Sequence, residues 1–132
     1  MVETRQISQN HYVFSEQVNP RFFFVMGLAV GQEKAALVDA GMGMDHSLPR
    51  AVAAVTDRPV TLLVTHSDSD HIGGASQFKD VYLSPDEPRE DIAVACSPGL
   101  RLRFLAAQGF DPEMVKHAEE RIVREPLVAY GF

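Results

Sequence analysis

Cysteine is nearly absent. Cys96 is the only one in 132 residues, so no internal disulfide can form and a reducing compartment is the natural setting. Its context, AVACSPG, suits a small buried residue better than a reactive thiol. A basic stripe is also missing. Arg101, Arg103, Arg121 and Arg124 are separated by acids or apolar residues, and the formal net charge is -6. Scattered acidity favours solubility and argues against a nucleic-acid partner. There is no long apolar run: the longest, Phe22 to Val30, is far short of a membrane span. The N-terminal MVETRQISQN has no apolar segment behind its charges of the kind a signal peptide carries. These absences lead to the expectation of a cytoplasmic protein with neither membrane nor nucleic acid as partner. What is present is 45% apolar and 23% charged residues, the make-up of one folded globular domain.

The chain reads as strands first and helices last. Val2 to Ile7 and Tyr12 to Val18 resemble short edge-type strands around the turn-forming Ser8-Gln9-Asn10. After Asn19-Pro20, the runs RFFFVMGLAV and AALVDAG flank the polar turn GQEK, as in a β-hairpin. Both arms are apolar throughout, which suits central strands covered on both faces or by a partner layer. Leu48, Ala51, Val52 and Val55 recur at helical spacing, predicting a helix over 47–56 with one buried stripe. Asp57-Arg58-Pro59 ends it, and the β-branched run Val60 to Thr65 reads as a buried strand. A helical turn or two over 74–78 and a short strand over 81–83 complete an α/β arrangement.

From Ser84 the pattern becomes helical. Ser84-Pro85 and Ser97-Pro98 each place an N-cap before a proline suited to the first helical position. Gly109 is a natural C-terminal stop for the second of these. Asp111-Pro112-Glu113 opens a third helix predicted to reach about Arg124, with Met114, Ala118 and Ile122 on its apolar stripe. Residues 1–83 thus form an αβ unit, and residues 84–132 a helical extension or insertion.

Chemistry concentrates in PVTLLVTHSDSDHIGG, Pro59 to Gly74. A buried strand gives way at once to His66, Asp68, Asp70 and His71, four potential metal ligands on a loop at a strand's carboxyl end, where sites collect in α/β sheets. His66 and Asp68 lie two apart, so an extended backbone projects them to one side; Asp70 and His71 need a turn, which Gly73 and Gly74 permit. Imidazole with carboxylate suits zinc, iron or manganese, and the lack of thiolate excludes a structural cysteine site. His11, His46 and His117 stand alone. Surface placement is the expectation for His11 and His46, with His46 the better outsider because it follows the Asp39 loop. His117 lies mid-helix in VKHAEER, as a solvent-facing or packing residue.

The H-x-D-x-D-H segment with its Ile-Gly-Gly resembles the signature of the metallo-β-lactamase superfamily, and LVDAG, Leu37 to Gly41, resembles that superfamily's strand-ending Asp-x-Gly element. The resemblance implies half of a four-layer αββα sandwich. It implies His66 and Asp68 on a first metal and Asp70 and His71 on a second, Asp70 also orienting or deprotonating the hydrolytic water, with Asp39 behind the ligands fixing their orientation. The cofactor implied is one or two divalent ions, zinc first and manganese or iron as alternatives. Asp68 stands where the family usually has histidine, which makes the first site harder and more anionic. The activity implied is hydrolysis of a small-molecule ester, thioester, lactone or phosphoester. The family's second half supplies a further histidine, a bridging aspartate and a final histidine; after His71 this sequence has only His117. The helices after Ser84 resemble an insertion between the family's halves, with the second sheet following VAYGF. The expectation is a truncated, N-terminal half. Its exposed sheet face calls for a homodimer or a partner chain, or the chain is a non-catalytic, weakly metal-binding module that serves as a dimerising or structural unit.

Overall fold

The computed structural model describes residues 1–128, 130 and 131. Alternating side chains along the first strands set the sheet's two faces. In β3 (Phe22–Val30), Phe24, Met26 and Leu28 turn inward, while Phe23 and Val25 face out, each about half exposed. Period-two alternation of this kind is what a sheet covered on one face produces. β1 (Val2–Ser8), β2 (His11–Asn19), β3 and β4 (Ala35–Val38) form an antiparallel meander. β5 (Val60–Val64) and β6 (Val81–Leu83) then add in parallel. The six strands lie side by side in chain order.

The core lies between the inward sheet face and helices. Phe14, Met26, Leu37 and Leu62 from the sheet meet Leu48 and Val52 of α1 (Leu48–Val55), Ile72 of the one-turn α2 (Ser69–Ile72), and Ile92 and Ala95 of α3 (Arg89–Ala95). A 3₁₀ turn (Ala75–Gln77) joins α2 to β6. α4 (Pro98–Ala107) and α5 (Pro112–Arg121) follow. Ser97 caps α4 by accepting from the Leu100 amide, Gly109 follows it with φ 77°, and Asp111 caps α5 by accepting from the Glu113 amide. Those three signals were legible in the sequence.

Three expectations need correction, and a fourth is narrowed. β2 is interior, because β1 pairs along its outer edge and alone takes the edge position. The helix predicted from Ser84-Pro85 begins instead at Arg89: Ser84 Oγ accepts from the Asp86 amide in a local turn, and Pro88 precedes the helix. α5 stops at Arg121, since Ile122 turns extended and buries its side chain while the Val123 amide bonds to the Gly43 carbonyl. Of the two alternatives for the apolar strands, cover on both faces within the chain is not found among the described residues, which leaves the partner layer. On the other face Phe23, Val25, Val38, Leu63 and Tyr82 are all exposed. Val38, Leu63 and Tyr82 are direct cross-strand neighbours, so these residues form one apolar band rather than scattered side chains.

Of the VAYGF segment, Ala129 and Phe132 lie outside the described residues. Gly131 bridges Tyr82 in parallel on the β6 edge, accepting from the Leu83 amide at 3.1 Å and donating to the Val81 carbonyl at 2.7 Å.

Candidate metal centre

Because β4 and β5 run parallel as neighbours, the segments leaving their carboxyl ends emerge side by side. One begins with Asp39, the other with Thr65 and the His/Asp loop. Asp39 is nearly buried and has φ 64°, the left-handed region that short polar side chains tolerate better than most. Its Oδ1 accepts from the Thr65 amide at 2.8 Å. Thr65 Oγ1 lies 3.0 Å from each Asp39 oxygen and 2.8 Å from His66 Nδ1. Asp39 Oδ2 lies 2.7 Å from His71 Nδ1.

This arrangement fixes hydrogens by elimination. An ionised carboxylate only accepts, so His71 carries its proton on Nδ1 and donates to Asp39. Thr65 donates its one hydroxyl proton to Asp39 and therefore accepts from His66 Nδ1–H. One carboxylate thus places a proton on Nδ1 of both histidines, and in the neutral imidazoles each Nε2 keeps a lone pair. Those atoms face carboxylates: His66 Nε2 lies 3.3 Å from Asp68 Oδ2 and His71 Nε2 lies 3.6 Å from Asp70 Oδ2. The two rings are 4.1 Å apart between centroids. Lone pairs facing anionic oxygens form a donor set for a cation, and an outer carboxylate fixing the imidazole is the usual support for a metal-bound histidine. The residues fit a divalent ion in their chemistry. Their positions are less complete: among the described residues, no three His, Cys, Asp or Glu side chains converge to hold one. The donors stand as two His–Asp pairs, and the largely exposed Asp68 side chain pairs with His66.

The turn that closes the loop depends on glycine. A Cβ on Gly73 would sit 2.3 Å from the Met42 carbonyl oxygen, and one on Gly74 2.4 Å from that of Ala40. The two glycines therefore let the metal loop lie directly against the Asp39 loop, where the Ala40 amide bonds to the His71 carbonyl at 2.8 Å.

Two residues whose role the sequence reading missed hold the Asp39 loop from behind. Glu16, buried in β2, accepts from the Met42 amide at 2.7 Å and the Met44 amide at 2.8 Å. Burial pushes its carboxyl up to about 7 despite those bonds. The signal was present: Phe14 and Glu16 share the inward phase of one strand, so an acid was due inside. Arg101, fully buried in α4, donates to the carbonyls of Met42 at 2.8 Å, Gly43 at 3.2 Å and Cys96 at 3.0 Å, and to that of Val123. Burial holds its guanidinium below the usual value. No periodicity in the sequence singles it out, as α4 has no clean apolar stripe to break.

The other candidates lie in different surroundings. His46 is exposed and pairs with Glu125 at 3.2 Å, and His117 is exposed at 3.9 Å from Glu120. Neither contacts the loop donors among the bonds and ion pairs described. His11 Nδ1 bonds to Ser8 Oγ at 2.7 Å on the surface. Cys96 is buried, and its thiol is pushed up to about 11 by burial, which suits packing rather than nucleophilic chemistry. Glu87 accepts from Ser67 Oγ at 2.5 Å and ties the loop to the helical segment; that bond holds its carboxyl below the ordinary value. Beside the loop opens a pocket of about 640 Å³ walled by Asp68, Asp70 and the α3–α4 helices. A larger depression of about 870 Å³ lies against residues 1–4 and 45–51 and contains none of the loop donors.

The family model described as the metallo-beta-lactamase superfamily matches residues 22–128, and the chain belongs to that superfamily. Its fold is the α/β, mixed-sheet part of the lactamase sandwich. A metallo-beta-lactamase from Hirschia baltica aligns over 84% of this chain and 49% of its own, with 18% identity and a TM-score of 0.53. FIM-1 from Pseudomonas aeruginosa, described in a mono-zinc form, aligns over 68% of this chain and 45% of its own, with 18% identity and a TM-score of 0.53. The enzyme from Pontibacter korlensis aligns over 84% and 50%, with 18% identity and a TM-score of 0.52. The chain therefore spans about half the length of these solved relatives, and at such identity the likeness is one of fold. No curated protein matches it.

Proposed function

We propose that this chain carries the N-terminal metal loop of a metal-dependent hydrolase and is active when the remaining ligands come from a second half or a partner chain. The observation that carries the reading is the 2.7 Å bond from His71 to Asp39, with its extension through Thr65 to His66. Together these turn both Nε2 lone pairs toward the loop carboxylates. His66 and Asp68 would hold one ion, and Asp70 and His71 a second. A divalent ion there acidifies water and polarises a scissile carbonyl or phosphoryl oxygen. Zinc is the first choice, and the carboxylate at Asp68 admits manganese or iron. Asp70, half-buried at the mouth of the pocket, orients the attacking water and takes its proton. Asp39 keeps both imidazoles in the binding tautomer. The substrate is a small ester, thioester, lactone or phosphoester.

The test is metal content with turnover. Tight binding of more than one equivalent, and hydrolysis on a panel of those substrates that is lost in Asp70→Ala, is the expected result. A second reading is favoured by the donors standing in pairs and by the apolar band on the sheet: a module that binds metal weakly and serves as a dimerising unit. Less than half an equivalent of metal after loading, with no turnover, selects that reading and overturns the first.

A further inference from the structure

The turn that stands where a helix was expected, Ser84 to Pro88, reaches the metal loop. The Glu87 amide closes it on the Ser84 carbonyl at 3.1 Å, with Pro85 at the second position, which its fixed φ suits. The Asp86 amide donates to Ser84 Oγ at 3.2 Å. Pro88 follows and disfavours helical backbone at Glu87. Glu87 is thereby fixed from both sides, and its side chain accepts from the Ser67 amide at 3.2 Å and the Ser67 hydroxyl at 2.5 Å. Both bonds fall on Oε2.

Ser67 lies between two of the loop donors, His66 and Asp68. Before them, Thr65 is held to Asp39 through its amide and hydroxyl. After them, the Asp68 carbonyl accepts from the His71 and Ile72 amides. Among the hydrogen bonds described, the Ser67 amide bond to Glu87 is the one backbone anchor in between. The Asp68 carboxylate is largely exposed and meets His66 Nε2 at 3.3 Å, so its direction follows the backbone at 66–68. We propose that Glu87 is a positioning residue for the metal loop, fixing the backbone at Ser67 so that His66 and Asp68 face one ion. The ion rests on the hydrolase reading above; the alignment of the loop does not. Because one oxygen takes both bonds, the role calls for an acceptor and not for a charge. A glutamine carbonyl oxygen, with two lone pairs, can fill it.

The experiment compares the full chain with Glu87→Ala, Glu87→Gln and Ser67→Ala. Zinc affinity is read by competition with a chromophoric chelator. Backbone direction in the metal-free proteins is read from residual dipolar couplings of the Ser67 and Asp68 amides. Glu87→Ala should weaken zinc binding by about tenfold, the lower end for losing a group that orients metal ligands, and should change both couplings. Glu87→Gln should restore affinity and couplings together. Ser67→Ala keeps the amide bond and should fall between, and it should add nothing in the Glu87→Ala background. Urea midpoints should stay together across the series. Glutamine as weak as alanine, couplings in Glu87→Ala equal to the wild type's, or a drop in urea midpoint that tracks the lost affinity would each overturn the proposal. A wild type that binds no zinc, with couplings changed in Glu87→Ala and regained in Glu87→Gln, would fail the hydrolase reading and leave the positioning role standing. Zinc uptake and turnover untouched by Glu87→Ala would do the reverse.

Discussion

Removing the charge from Glu16 gives the sharpest test of how the Asp39 loop is held. The carboxyl is buried in the sheet and faces the Met42 and Met44 amides, with Asp45 raising its affinity for a proton and the N-terminal amine lowering it. Burial dominates and lifts it from 4.5 to about 7. A carboxyl whose folded value lies above its unfolded one binds protons more readily in the native state, so stability falls as pH rises between the two values. At about 1.4 kcal/mol per pH unit, the span from 4.5 to about 7 is worth about 3 kcal/mol, present in full below pH 4.5 and gone above about 7. Urea unfolding at fixed ionic strength reads this directly. With slopes of about 1–3 kcal/mol per molar urea, the midpoint should drop by about 1–3 M between pH 5 and pH 8. Glu16→Gln should lack this component of the pH dependence over that window. Its amide oxygen accepts one backbone N–H, but its NH₂ faces the other donor, which costs about 1–3 kcal/mol at pH 5. At pH 8 that loss is offset by the absent buried charge. Subtracting the variant's profile removes the histidines and every other titration common to both. A wild-type midpoint that matches the variant's slope across the window would refute the account of Glu16 as a buried, mainly neutral clamp.

Three further outcomes follow from the geometry. Asp39→Asn keeps a side chain that tolerates φ 64° but presents an NH₂ toward His71 or Thr65, so metal affinity should fall by about 10–100-fold; competition with a chromophoric chelator measures this, and nitrogen chemical shifts should show the His71 proton leaving Nδ1. Gly73→Ala drives a methyl to 2.3 Å from the Met42 carbonyl, and the forced separation of the two loops should cost about 3 kcal/mol or more in urea unfolding, with metal affinity lost as well. The band of Val25, Val38, Leu63 and Tyr82 should support a homodimer that Leu63→Lys dissociates in sedimentation; a mainly monomeric wild type at micromolar concentration would refute the dimer.

Strand identity was legible because it rests on local rules. Val2 to Ser8, Phe22 to Val30 and Val60 to Val64 announce themselves through alternation, β-branching and bounding turns, and Ser97, Gly109 and Asp111 mark helix ends through caps that act over three residues. The loop donors were legible for the same reason, being contiguous in sequence. What stayed hidden depends on partners far along the chain. Ser84-Pro85 reads locally as a helix start, yet the helix waits for Arg89 because Ser67 and Glu87 tie the intervening turn to the metal loop. Arg101 looks like any basic residue on a helix until the carbonyls of Met42 and Gly43 are placed beside it. The role of Thr65 needs the register of β4 against β5, which no single segment specifies.

The Arg101 contacts also bear on when the centre takes shape. Its bond to the Met42 carbonyl spans 59 residues of sequence, whereas the hairpin and the His/Asp loop are built from near neighbours. As a chain leaves the ribosome, the strands and the loop can pair before the guanidinium that fixes residues 42 and 43 has been made. Contacts of large sequence separation form late because closing the intervening chain is entropically costly. The helical segment therefore acts on the site in time as well as in space: until α4 docks, the loop that orients both histidines has carbonyls with no partner, and the half-made protein has its ligands without their alignment.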